Sequence, residues 1–338
     1  MKLGRLKLSN KLMLAPMLKV TTAPYRRFCR TLSGKIGLVF VPMLYTKRIV
    51  KCPKSVIEPL YRISEERPIG VQLIGSDPIA LKKTIEHLES YEFDVLDINA
   101  GCPSRRAVKL QEGGYILNNL NNLAKIINVA TKHSSRPVSV KIRIGVYKPL
   151  NLQSLSRIIN DSGLEFITVH GRTVKEKFDD SKLNLEFVRN LKEEVNIPII
   201  GNGSIDSPQF AEHFLKYTRV DGLMIGRASI GNPEIFKQIG VFLEKKIILE
   251  HENTIPLFLE RVKIYEKCID EFINDGLKLK YPLEKYKFNE LFRNSIWLTK
   301  GLKEATFLRR FISKASNLEQ LKKVINQIKD GKFKAIPA

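Results

Sequence analysis

The chain has 338 residues, 43% of them hydrophobic, and its 57 Lys+Arg against 35 Asp+Glu give a formal net charge of +22. That length suits one large domain with a smaller one, and neither a bilayer-spanning apolar run of ~20 residues nor a secretory h-region interrupts the sequence, so a cytoplasmic protein with no membrane partner is expected. Four well-separated cysteines without a CxxC pair, Cys29, Cys52, Cys102 and Cys268, argue against a disulfide framework and against a metal site.

From residue 11 to about 240, short apolar strands alternate with amphipathic helical stretches. The predicted strands are Leu12–Ala15, Leu38–Val41, Ile69–Leu73, Val95–Asn99, Val138–Ile142, Phe166–His170, Ile197–Gly201 and Gly222–Ile225. Among the intervening helices, DPIALKKTIEHLES and SPQFAEHFLKY each open with a capping Asp or Ser and a Pro at the first helical position. Eight strands with helix-sized connections predict a parallel sheet, and at this length a closed (β/α)8 TIM barrel. An open doubly wound sheet is the alternative, but no GxGxxG follows any strand.

Beyond residue 245 the strand pattern stops. Helices are predicted over Pro256–Asn274, Leu283–Lys300 and Glu304–Lys329 with a break near Ser316, and Lys332–Ala338 reads as a frayed tail. The expected division is a barrel over 1–244 and a small all-helical domain over 245–338. Residues 277–338 carry 15 Lys+Arg and 5 Asp+Glu, a net of +10, which points to a polyanionic partner, nucleic acid above all.

The segment DINAGCPS, Asp97 to Ser104, closes the fourth predicted strand, a run read as apolar from Val95 to Ile98. A thiol between Gly101 and Pro103 is held on a sharp turn. The following stretch, Arg105 to Gly114, reads as a loop able to move. The alternative for Cys102 is a small buried hydrophobe, and the motif alone favours function only modestly.

A barrel of this kind places its active site at the C-terminal ends of its strands. In order, those ends supply Pro16 and Met17, Gln72, Asn99 with Cys102, Lys141 with Arg143, His170 with Arg172 and Thr173, Asn202-Gly203-Ser204, and Gly226-Arg227, while Pro42-Met43 of the second reads as apolar packing at the rim. Glycine-rich backbone and Arg227 at the seventh and eighth ends suit a phosphate. Gln72 and Lys141 suit the ring edge of a planar cofactor, and a cation there stabilises a reduced flavin. Flavin mononucleotide (FMN) is the cofactor that fits.

The motifs APM, QLIGSDP, DINAGCPSRR, VKIRIG, VHGRT, IPIIGNGSI and DGLMIGRASIGNP run in this order through residues 12–234. In them the chain resembles the dihydrouridine synthases, a family of flavin-dependent tRNA-modifying enzymes. The resemblance implies that Cys102 is the general acid. It implies a flavin held by Pro16, Met17, Leu18, Gln72, Lys141, His170, Asn202, Gly203, Ser204, Gly226 and Arg227, with Asn99, Arg143 and Arg172 close to the substrate, and a helical C-terminal domain that binds tRNA. Departures from the family pattern are Leu18-Lys19 where small residues are usual, Pro42 for Glu before Met43, Ser204 for Asp after GNG, and VKEKFDDSK after HGRT.

Uracil's C5=C6 bond is conjugated to a carbonyl, so hydride arriving at C6 leaves an enolate that needs a proton at C5. Cys102 is placed to give that proton from the face opposite the flavin, because a thiol still carries its proton at neutral pH. NADPH is the expected reductant of the flavin, with NADH left open, and the chain is expected to act as a monomer. Two other readings compete: a flavin-dependent reductase of a free pyrimidine, similar to a dihydroorotate dehydrogenase, and a non-catalytic RNA-binding barrel.

Overall fold

A computed structural model describes residues 1–249, 253–273, 279 and 281–331. Eight parallel strands form one sheet: β1 Leu12–Leu14, β2 Val39–Tyr45, β3 Ile69–Ile74, β4 Val95–Ala100, β5 Val138–Arg143, β6 Phe166–His170, β7 Ile199–Asn202 and β8 Gly222–Ile225. Neighbours in sequence are neighbours in the sheet, and β8 pairs with β1. A parallel bridge between Met13 and Leu38 completes the circle, with Leu14 N–H donating to Leu38 O at 3.0 Å. The barrel expected from the alternation is therefore present. Strand β7 starts at Ile199 rather than Ile197 because Pro198 has no N–H to give a ladder; its carbonyl accepts from Ile167 N at 3.0 Å.

The chain forms two compact units, Met1–Thr22 with Lys35–Arg227, and Ala23–Gly34 with the described residues from Ala228 onward. In the barrel unit, α2 Thr46–Lys51, α3 Pro78–Leu88, α5 Leu120–His133, α6 Leu152–Asn160, α7 Leu185–Glu194 and α8 Pro208–Thr218 pack side by side as the outer layer. The expected caps are in place: Asp77 Oδ1 accepts from Ile79 N and Ala80 N at 3.0 and 3.2 Å, and Ser207 Oγ from Phe210 N at 3.3 Å. The stretch read as a mobile loop instead contains a short helix, α4 Arg105–Lys109, followed by a 3-10 turn at Gly113–Asn118.

The strand starts form the apolar floor of the barrel. Met13, Phe40, Val95, Phe166, Ile200 and Met224 cluster there with Leu3 and Leu8, which come from the N-terminal segment and its small hairpin. Gly70 makes room for Phe40, since a Cβ there would lie 2.4 Å from the ring. Burying each such leucine is worth about 1.5–3 kcal/mol, and the result is a closed lower end with polar chemistry confined to the other.

In the second unit, α1 Ala23–Ser33 joins α9 Ile235–Lys245, α10 Ile255–Ile273, α11 Leu283–Leu298, α12 Ala305–Ile312 and α13 Leu318–Lys329. Against the expected division at 244/245, both α1 and α9 fall in this helical unit. Tertiary contacts explain it: Phe28 meets Tyr265 edge-on at 5.0 Å, Tyr25 hydroxyl bonds Ser229 Oγ at 3.1 Å, and Ser33 Oγ donates to Pro233 O at 2.7 Å. The expected break near Ser316 separates α12 from α13. Lys332–Ala338, read as a frayed tail, and Asn274, read as the end of a helix, lie outside the described residues. No helix among the described residues is long and apolar enough to cross a membrane.

Candidate active site

Side chains alternate across a strand, so the inward positions of β4 are Val95, Asp97 and Asn99. Register carries that alternation sideways. Gln72, Asp97 and Ser139 are partners across β3, β4 and β5, and Asn99 pairs with Lys141 one step higher. Arg143, His170 and Asn202 are partners across β5, β6 and β7. Three polar rows thus stack above the apolar floor.

Asp97 sits at the deepest of these rows with no exposed surface. Its Oδ2 accepts from Gln72 Nε2 at 2.7 Å and its Oδ1 from Ser139 Oγ at 2.6 Å. Burial pushes its carboxyl up to about 6, with the two hydrogen bonds and Lys141 pulling the other way. Asp97 was not among the residues expected to act. The available signal was one acid inside an apolar strand, two positions from Asn99 and therefore on its face.

Above Asp97, Asn99 Nδ2 donates to Gln72 Oε1 at 2.8 Å, while Asn99 Oδ1 accepts from Gly101 N and Cys102 N at 3.1 and 2.9 Å. The half-buried Cys102 thiol donates to Ser104 Oγ at 3.3 Å, and Ser104 in turn caps α4 by accepting from Ala107 N at 3.2 Å. Gly113 closes on this turn: at φ +59° it brings its backbone so near that a Cβ would lie 2.9 Å from Cys102 Cβ.

The other rows are cationic. Lys141 Nζ donates to Asn202 Oδ1 at 2.9 Å, and Asn202 Nδ2 donates to Met224 O at 2.7 Å. Burial, helped by Arg143 and opposed by Asp97, lowers the Lys141 ammonium to about 8. His170 is held well below its ordinary value by burial and by Arg143, Lys141, Arg172 and Arg227, so it is neutral. Its Nδ1 is buried without a hydrogen-bond partner among the described residues.

Arg143 gives its guanidinium to three backbone carbonyls: Gly101 at 3.0 Å, Thr173 at 2.8 Å and Lys177 at 2.7 Å. It thereby ties the Cys102 turn to the loop after β6. Arg172 is fully buried; Nε donates to Asp179 O at 2.6 Å and its terminal nitrogens reach Asp180 Oδ1 at 3.0 Å and Ser204 Oγ. Asn99, Arg143 and Arg172, expected near a substrate, thus all bond the protein itself. Arg227 is half exposed, 4.5 Å from the centre of the exposed Phe178 ring and 3.9 Å from Asp180. Pro16, Met17 and Leu18 form the turn after β1, where Met17 N donates to Thr21 Oγ1 at 3.0 Å and Leu18 is 48% exposed. Gly203, at φ +124°, lies against His170 and Leu183, and Gly226 faces Ala15 and Met17.

Compared with known proteins, the chain matches the family described as dihydrouridine synthase (Dus) over residues 13–332. The chain belongs to the dihydrouridine synthase family. Among its curated relatives, "tRNA-dihydrouridine synthase B" of Pasteurella multocida is 33% identical over 256 residues, 74% of this chain and 75% of that protein. A "probable tRNA-dihydrouridine synthase" of Rickettsia prowazekii is 30% identical over 311 residues, 91% of each. The same barrel occurs in a morphinone reductase (TM-score 0.54, 12% identity, 75% of this chain and 91% of that one) and in histamine dehydrogenase from Rhizobium sp. 4-9 (TM-score 0.56, 12% identity, 79% and 50%).

Two departures from the dihydrouridine synthase pattern meet in space. Ser204, at φ +50°, stands where the pattern has Asp, and its hydroxyl donates at 2.5 Å to Asp180, an acid within the departing VKEKFDDSK segment. Asp180 of the β6 loop thus sets a carboxylate beside Ser204, where it faces Arg172 and Arg227.

Proposed function

We propose that this chain reduces the C5=C6 bond of uridines in tRNA to dihydrouridine, with FMN as resident cofactor, NADPH as reductant and Cys102 as proton donor. The observation that carries the reading is a thiol fixed on a rigid turn at the rim of a mouth lined by Lys141, Arg143, His170 and Arg227.

The residues fit a flavin. A buried His170 nitrogen without a partner, glycine backbone at 203 and 226, and the half-exposed Arg227 make a cradle for a phosphate, while Lys141 offers a cation for the ring edge; Gln72, expected at the same edge, is fully buried with its amide engaged by Asp97 and Asn99. Pro16, Met17, Leu18, Asn202 and Ser204 complete the wall. When bound, the reduced flavin supplies the hydride that adds to C6 of uracil. Cys102 gives its proton to C5, and the S–H bond breaks as the C5–H bond forms. The thiolate so made is opposed by Lys141 and Arg143, both of which sense charge on Cys102, until water returns the proton. Arg143, Arg172 and Asn99 hold the turns against which the uracil would lie.

A uridine must leave its stack to enter such a mouth, at a cost of a few kcal/mol. Lys and Arg of the helical unit, in contact with tRNA phosphates, offset that cost and orient the RNA. The test is Cys102→Ala. It should keep the flavin absorbance of the wild type and lose nearly all dihydrouridine formation on unmodified tRNA; near-wild-type turnover overturns the assignment.

A further inference from the structure

The hydrogen bonds from Cys102 down to the barrel centre all run one way. The N–H groups of Gly101 and Cys102 donate to Asn99 Oδ1, Asn99 Nδ2 donates to Gln72 Oε1, and Gln72 Nε2 donates to Asp97 Oδ2. A side-chain amide can face either way, with nearly the same shape. Here both ends of the relay fix the choice. A backbone N–H can only donate, and an ionised carboxylate can only accept. Reversing either amide would set oxygen against oxygen or N–H against N–H, in a place where an unmet buried donor costs about 1–3 kcal/mol.

We infer that Asp97 is the positioning residue of the Cys102 turn: as terminal acceptor it anchors Gln72 and through it Asn99, and so holds the N–H groups from which the thiol hangs. Asp97 touches neither the thiol nor the mouth, being closed in by Gln72 and Ser139 with Lys141 the cation beside it. Its loss would leave the backbone bonds of Arg143 and Arg172 in place. What goes is the lower anchor of the relay, the acceptor of Gln72 Nε2.

The experiment uses the holoenzyme and two variants with opposite expectations. Asp97→Leu removes the acceptor while keeping the number and branching of side-chain heavy atoms. The double variant Gln72→Glu/Asp97→Asn moves the charge to the neighbouring strand. There the carboxylate introduced on β3 accepts from Asn99 and from the amide introduced on β4, so the relay above it keeps its direction. Iodoacetamide alkylation of Cys102, read by mass spectrometry with the buried Cys29 as internal standard, reports the turn without reference to turnover. For Asp97→Leu, alkylation should be roughly fivefold faster as the turn opens, and kcat roughly 10- to 100-fold lower, with KM for tRNA and flavin content held. The transposed pair should restore alkylation, the readout independent of turnover, to within about threefold of wild type.

Unchanged Cys102 alkylation in Asp97→Leu overturns the inference, as does a transposed pair no better than Asp97→Leu. Should Asp97→Leu fail to fold, Gln72→Leu cuts the same relay from above and leaves Asp97 bonded to Ser139; the alkylation expected of it is the same, and an unchanged rate counts against the relay. The inference rests on the Cys102 reading for its effect on kcat alone. Faster alkylation with kcat unchanged would leave Asp97 as the anchor of the turn and remove Cys102 from the role of acid.

Discussion

Lys141 shows most plainly what a single residue costs this fold. Its ammonium is buried, and the drop from an ordinary 10.5 to about 8 measures how much the folded protein disfavours the charge. At 1.36 kcal/mol per pH unit that is about 3 kcal/mol. The sign follows from linkage. Folded and unfolded forms are both protonated below pH 8, so the penalty is complete there; it fades as pH rises from 8 to 10.5 and is gone above. Lys141→Met should therefore raise the stability of the flavin-free protein by about 3 kcal/mol at pH 7, with the gain shrinking toward pH 10, and should weaken flavin binding at the same time. Thermal unfolding at the two pH values, paired with flavin titration, checks both halves. A variant less stable than wild type at pH 7 would mean that the bond to Asn202 outweighs the burial of charge. Asp97 beneath it titrates the other way: burial raises its carboxyl, so its ionised form weakens the fold as pH climbs through about 6.

At the scale of elements, the barrel was legible because each strand is a short apolar run and the helices from α3 to α8 open on a side-chain N-cap. The predicted starts of β1, β3, β4, β5, β6 and β8 coincide with the observed ones, and Asp77 and Ser207 cap the helices their sequences announce. The rest depends on register or tertiary packing, which no single stretch of chain encodes. Asp97 acquires meaning only when β3 and β5 set Gln72 and Ser139 beside it. Helices α1 and α9 sit in a β/α alternation yet pack with the C-terminal helices, because Phe28 and Tyr25 meet Tyr265 and Trp297. Strand β2 ran past its expected end at Val41 because its ladder to β3 slips between Val41 and Leu44. The floor of the barrel was also hidden, and it supplies a test. Gly70 has an ordinary strand conformation, so only space forbids a side chain there. Gly70→Ala should cost about 1–3 kcal/mol in urea unfolding, and Phe40→Leu in the same chain should recover most of it. Equal losses in the single and double variants would show that the Phe40 contact is not the cause.

For the whole molecule, the proposed function makes charge the property that draws RNA to the chain. The excess of +22 attracts a polyanion at long range, but only cations that displace counterions from phosphates steepen the salt dependence of binding. In the helical unit Lys303, Arg310 and Lys314 are exposed on and around α12, while Lys287 and Lys322 are engaged by Glu266, and Lys323 by Glu319. The first three are therefore the better phosphate ligands. Each one that contacts a phosphate adds about 0.7–0.9 to the slope of log affinity against log salt. Replacing Lys303, Arg310 and Lys314 together by Ala should lower that slope by about 2 and weaken tRNA binding most strongly at low salt. Flavin content and the rate of flavin reduction should stay at the wild-type level, since those residues lie outside the barrel unit. Fluorescence anisotropy of labelled tRNA over a salt series from about 50 to 300 mM measures the slope. If the slope is unchanged, α12 and its flanks do not meet the RNA backbone, and the phosphate contacts lie elsewhere in the chain. If the slope falls along with flavin content, the variant has damaged more than a binding surface.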